Sequence, residues 1–297
     1  MWIFLALFSA ILLGCYDILK KVSLRDNPVL PVLLVSTATG ALIFLPAVTL
    51  SRLYPHDAAD HFWYVPEAET VTLFLIFLKS CLVGASWILS YYAMKYLPLT
   101  VVSPIRSTGP LWTLIGALFV LGERLNFLQW TGLAVSIACF WLFSRTGRKE
   151  GFSLHNKWIW CIYAGTLLGA VSGLYDKFLL TRFDRMLVQA YFSLYLVPVI
   201  LPFVAFKWYP HRKQQVLQWR YTIPLIGICL TLTDYVYFYT LSIPDSLVSI
   251  VSALRRCSVA VPFLVGALVL HEKNIKQKTL CLLGLIAGVV AIVLGSK

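Results

Sequence analysis

Two arginines stand inside stretches apolar enough to cross a bilayer. Arg106 lies in PLTVVSPIRSTGPLWTLIGALFVLGE, Pro98 to Glu123, and Arg255 in SLVSIVSALRRCSVAVPFLVGALVLHE, Ser246 to Glu272. Each arginine precedes by seventeen residues the glutamate that closes its stretch, and both stretches contain Gly-Ala-Leu, at Gly116 to Leu118 and Gly266 to Leu268. A guanidinium in hydrocarbon is costly, so such groups face a polar interior and are functional by default. Its planar fork of donors suits bidentate contact with carboxylate or phosphate. Two arginines in duplicated positions therefore point to a cavity at the interface of two repeats, biased toward anionic or zwitterionic solutes.

Other polar residues inside apolar stretches extend the set. Arg256 follows Arg255, Ser107 follows Arg106, and Lys79 stands in the third stretch, ahead of Ser86, Trp87, Ser90, Tyr91 and Tyr92. Lys79 either snorkels to the interface or adds to the positive bias. The aromatics form either a membrane belt or the wall of a pocket. Asp234, beside Tyr235 in LTLTDYVYFYTLS, needs a partner or a proton at that depth, and Arg255 and Arg256 are its natural partners. Asp17 precedes Lys20 and Lys21 by about one turn, the spacing of an ion pair at the membrane edge. Asp17, Asp176 and Asp234 are the candidates for a coupling charge. The substrate-lining candidates are Arg106, Ser107, Trp87, Tyr91, Asp234, Tyr235, Arg255 and Arg256, with Trp112 and Tyr239 as further aromatics.

Composition excludes most other chemistry. The 297 residues are 59% hydrophobic and only 13% charged, about half the charged share of a soluble domain. The net charge of +12 is carried mostly in loops, where it reads as orientation signal and headgroup contact. No compact basic domain exists to bind nucleic acid. The seven cysteines all fall in apolar segments without a CxxC pair, which argues against a disulfide framework or zinc site. The five histidines lie in or beside loops, without HExxH. The acidic and histidine-bearing loop from His56 to Glu69 reads as solvated, not as a metal site. No cofactor is implied. The apolar run from Trp2 has no basic n-region and no small-residue cleavage site, so it reads as a retained helix.

These residues need helices to hold them. A spanning helix takes about twenty apolar residues, and ten stretches qualify: 2–22, 29–53, 70–94, 99–122, 127–145, 158–181, 186–208, 221–242, 246–271 and 275–296. The fold class is thus an all-α membrane protein of ten transmembrane helices. The sixth stretch repeats the first: Gly14 and Tyr16-Asp17 correspond to Gly173 and Tyr175-Asp176. This second match, in the same order as the arginine match, divides the chain into repeats 1–145 and 158–297 joined by the linker 146–157. Five is an odd number of spans, so the repeats are inverted, a transporter signature. Pro98, Pro104 and Pro110 surround Arg106, and each removes a helix hydrogen bond and frees a carbonyl. Arg106 either lines a substrate path or bonds those carbonyls. Gly165, Gly169 and Gly173 predict close helix packing, and Gly284 and Gly288 a packing face that a homodimer could use.

Two five-helix halves, each with an acidic residue closing its fourth helix, resemble the drug/metabolite transporter superfamily, and more narrowly the EamA-type ten-helix carriers. The residues carrying the resemblance are Leu121-Gly122-Glu123 and Leu270-His271-Glu272, with Pro110 and Lys20. The second half departs from the pattern, with His271 in place of the glycine and no proline opposite Pro110. Leu12 stands where small multidrug members carry a helix-1 glutamate. The resemblance implies movement of small metabolites through a cavity lined by helices 1, 3, 4, 6, 8 and 9.

The expected protein is a multi-pass secondary transporter of the cell membrane, not an enzyme, acting as monomer or homodimer. A lipid flippase or a membrane scaffold is the alternative. Lys and Arg in odd-numbered loops outnumber those in even loops and termini by fifteen to six, which puts the odd loops in the cytoplasm and both termini outside.

Overall fold

Apolar stretches separated by short turns have one solution in lipid: helices that satisfy their own backbone hydrogen bonds. The computed structural model describes residues 2–55, 61–97, 105–106, 108–145 and 156–259, with single positions between 261 and 295. Among the described residues all regular structure is helical: α1 (Trp2–Leu24), α2 (Val29–Leu53), α3 (Thr70–Tyr96), α4 (Gly109–Val120), α5 (Phe127–Arg145), α6 (Lys157–Leu180), α7 (Arg185–Phe203), α8 (Thr222–Ser242) and α9 (Val248–Arg255). Six of these (α1, α2, α3, α6, α7 and α8) are long and apolar enough to span a membrane. Pro98, Pro104, Ser107, the linker from 146 to 155, the closing Glu272 and most of the tenth stretch lie outside the described residues, as does the side chain of Arg256.

Local chemistry sets the boundaries. The Asp184 carboxylate accepts the N–H groups of Met186 (2.8 Å) and Leu187 (3.1 Å) and so starts α7. Asn156 does the same for α6 through Trp158 N–H at 3.0 Å. These are N-caps in the ordinary sense, filling orphan donors of the first turn. Gly122 ends α4 with φ +65°, a left-handed conformation that costs a glycine almost nothing.

Two expectations about helix continuity need correction. Pro110 sits in the first turn of α4, where the missing N–H is an orphan anyway and the fixed φ suits helix entry. It starts a helix there instead of breaking one. The ninth stretch was expected as unbroken helix, yet α9 passes into a 3-10 turn at Arg256–Val259. That turn packs on α1, and a side chain at Gly14 would run into the Ser258 carbonyl. The glycine of the GCYD motif is the space the turn occupies.

The main packing pairs are α1 with α8, α3 with α6, α2 with α7 and α8, α7 with α3, α4 with α6 and α9, and α1 with α9. Exchanging each helix for the one five places along maps this set onto itself. Gly284 and Gly288 lie against Cys139, Ser136 and Gly132 of α5. The small-residue face they form therefore packs against α5 within the chain.

Candidate functional site

Between α1, α3, α4, α6, α8 and α9 lies a cavity of about 220 Å³. These are the helices that the resemblance implied, and α7 adds Phe192 to the wall. Four cations (Lys20, Lys79, Arg106 and Arg255) face two carboxylates, Asp176 and Asp234.

One group of contacts is well paired. Lys79 Nζ lies 2.9 Å from Asp176 Oδ1, and both side chains are nearly inaccessible, at 1% and 8% exposure. The same ammonium stands over the rings of Phe192 (4.1 Å) and Phe238 (3.8 Å). Arg255 Nη2 lies 3.4 Å from Asp234 Oδ1, with its guanidinium 3.9 Å above the Tyr237 ring. Buried charges persist only with partners of this kind, and aromatic faces add to the stabilisation of a desolvated cation.

The second group is poorly paired. Lys20 Nζ is 3.7 Å from Asp17 Oδ1, beyond a good hydrogen bond. It sits 4.4 Å over Tyr91 and 5.0 Å over Tyr16, whose hydroxyls bond each other at 3.0 Å. Arg106 Nη1 donates to the thioether of Met94 at 3.9 Å, a weak acceptor. Among the described residues no carboxylate pairs with Arg106. The sequence of α3 explains this: it contains neither Asp nor Glu, whereas α8 supplies Asp234 to Arg255.

Of the residues singled out in the sequence, Arg106, Trp87, Tyr91, Asp176, Asp234 and Arg255 line the cavity. Asp17 does not line it and stands behind Lys20. Tyr235 and Trp112 do not line it either. Tyr235 packs with Tyr239 against the Arg185 guanidinium instead, at 5.1 and 4.3 Å. Lys79 does not snorkel, because Asp176 holds it inside. Lys20, read as an edge charge, is 3% exposed and faces the cavity. Its signal was present in the spacing: Leu13, Tyr16 and Lys20 follow three- and four-residue steps, which put them on one face of a helix.

Two residues missed as functional hold the turn between α8 and α9. The Glu123 carboxylate accepts Val248 N–H (2.6 Å), Ser249 N–H (3.3 Å) and the Ser249 hydroxyl (2.5 Å). It caps α9 from the segment between α4 and α5. Lys177 of α6 is buried and donates to the carbonyls of Leu241 (3.0 Å) and Ile243 (3.3 Å) and to Ser246 Oγ (2.8 Å).

Fold and site together define a multi-pass helical membrane protein with a charged internal cavity. Residues 1–145 match the EamA-like transporter family, the family the sequence resembles. The match covers the first part of the chain and is consistent with membrane transporters of the drug/metabolite type. A solved crystal structure is similar over 98% of this chain and 96% of that one, at 16% identity and TM-score 0.69, which supports the fold alone. No curated protein matches in sequence.

Proposed function

We propose that the chain is a secondary transporter of a small anionic or zwitterionic metabolite, working by alternating access in the cell membrane. In this reading residues 1–145 and 158–297 are inverted five-helix repeats, ten spans in all, joined by 146–157. The exchange symmetry of the helix packing supports that division, and so does the match of the first half to a transporter family. The observation that carries the substrate class is Arg106. It borders the cavity with only a methionine sulfur as partner among the described residues. A guanidinium with no carboxylate partner among the described residues, in a secluded space, favours an incoming carboxylate or phosphate. Lys20 stands on the same cavity with its own carboxylate held at 3.7 Å. Trp87 and Tyr91 offer an aromatic wall for the remainder of the solute. Asp176 and Asp234, with Asp17 behind Lys20, are the groups able to carry a coupling charge.

The test is uptake from a pool of carboxylated and phosphorylated metabolites into proteoliposomes. Wild-type protein accumulates one class, and Arg106→Gln abolishes that uptake while eluting as a folded, monodisperse species. Transport by Arg106→Gln at the wild-type rate would refute the role. Scrambling of labelled lipid with no solute flux would replace the carrier by a flippase.

A further inference from the structure

The charges on the main cavity are unevenly spread. Lys79 lies 2.9 Å from Asp176 and Arg255 lies 3.4 Å from Asp234, so each carboxylate that lines the cavity among the described residues is answered by a cation. Tyr91 stands twelve residues further along α3 than Lys79, about 18 Å of helix. The lining around it carries Lys20 and Arg106, with Tyr16 and Ser90. Lys20 sits over both phenol rings, and Arg106 is near enough to repel it.

Counting charges narrows the solute. Lys20, Lys79, Arg106 and Arg255 face Asp176 and Asp234, and Asp17 behind Lys20 adds a third carboxylate. Among the described residues one positive charge is left over, and it sits at the Lys20–Arg106 end. A secluded charge without a counter-ion is costly, so a solute bearing one negative charge completes the set. Its carboxylate meets an ammonium and a guanidinium, both donors of charge-assisted hydrogen bonds. An amino acid carries its own ammonium on the carbon next to the carboxylate. That group would stand beside two cations with no lining carboxylate to accept it, and like charges repel strongly away from bulk water. A phosphate monoester fails for the opposite reason. It brings about −1.5 to −2 charge at neutral pH, more than the surplus.

We infer that the solute is a small monocarboxylate without an α-ammonium, of which a 2-hydroxy acid is the simplest case. The inference rests on the proposed function and deepens it, choosing anion over zwitterion at the same site. The carboxylate lies between Lys20 and Arg106. A hydroxyl in the place of the ammonium meets Ser90 and the two phenols, and the side chain extends toward Trp87, Val83 and Leu230. The cavity, at about 220 Å³, is smaller than the roughly 300–1,000 Å³ of drug-sized sites, which keeps that side chain short.

The test is binding in detergent, read as the shift in Tm of purified full-length protein. The probes share a skeleton in pairs and differ in one group: lactate with alanine, 2-hydroxy-4-methylpentanoate with leucine, and phenyllactate with phenylalanine. Phenyl phosphate serves as the dianion. At least one hydroxy acid raises Tm by about 2–4 °C at saturation, while its amino acid and phenyl phosphate do not. Lys20→Met, which keeps the length of the side chain, and Arg106→Gln each abolish the rise. The wild-type panel decides the charge question even if neither variant folds. An equal or larger rise with the amino acids or with phenyl phosphate would overturn the inference. No rise with any hydroxy acid, or a rise that either variant keeps, would overturn it too. The carrier reading falls separately: hydroxy-acid binding without uptake into proteoliposomes would keep the site and refute transport, whereas amino-acid uptake that depends on Arg106 would keep transport and refute the monocarboxylate.

Discussion

Lys79 and Asp176 show how one side chain decides another's fate. The ammonium lies at the centre of a carboxylate and two phenyl rings, and almost no water reaches either charge. Removing one member leaves the other buried and uncompensated, at a cost of about 3–5 kcal/mol. Lys79→Met is therefore expected to lower stability by about that amount. The double variant Lys79→Met with Asp176→Leu recovers most of the loss, because an apolar pair of similar volume replaces an ionic one. Thermal unfolding of the four proteins in one detergent measures the coupling, and additive losses would show that the pair contributes nothing. Arg106 stands at the opposite extreme. Its charge has no internal carboxylate to answer it among the described residues, which is why the transport prediction falls on this residue and not on Lys79.

At the scale of elements, α9 is short and begins at a gripped turn. Eight residues are too few to hold a helix by propensity alone, so its stability comes from packing and from Glu123. That carboxylate occupies the first-turn N–H groups of Val248 and Ser249. An N-cap of this kind contributes about 0.5–2 kcal/mol, and its negative charge also suits the positive end of the helix dipole. Glu123→Ala is expected to cost about that much and to speed hydrogen exchange at the first-turn amides of α9. Glu123→Gln, which keeps an acceptor, loses less. Unchanged protection at Val248 and Ser249 in the alanine variant would remove the cap from the account. Since α9 carries Arg255 into the cavity, a loosened cap is also expected to weaken uptake without touching the substrate.

For the whole molecule, the decisive matter is the handedness of insertion. On the proposed division, two repeats of five spans put both termini on one side and the 146–157 linker on the other. The distribution of lysine and arginine places the linker in the cytoplasm, though Lys20 and Lys177 count for less now that both are buried. Reporters fused after Lys297 and inserted in the linker are expected to give opposite answers, with the linker cytoplasmic. The same answer from both would end the inverted-repeat reading, whatever became of the cavity.

Hydropathy and periodicity were enough to delimit α1, α2, α3, α5, α6 and α8 within a few residues. Lipid leaves backbone groups no partner except their own helix, so an apolar run of the right length has one outcome. The duplicated Arg–Glu and Tyr–Asp spacings are likewise written in the sequence itself, and the proposed division of the chain rests on them. The pairs Asp234–Arg255 and Asp17–Lys20 could be named from the sequence, but not the most buried one. Nothing in the residues near Lys79 says that Asp176, almost a hundred positions away, will meet it. Spacing put Leu13, Tyr16 and Lys20 on one face, but local sequence could not show which way that face points, or that Tyr235 turns to Arg185. Helix rotation and crossing settle those matters, and they follow from how side chains of different helices fill space together, which no single segment contains.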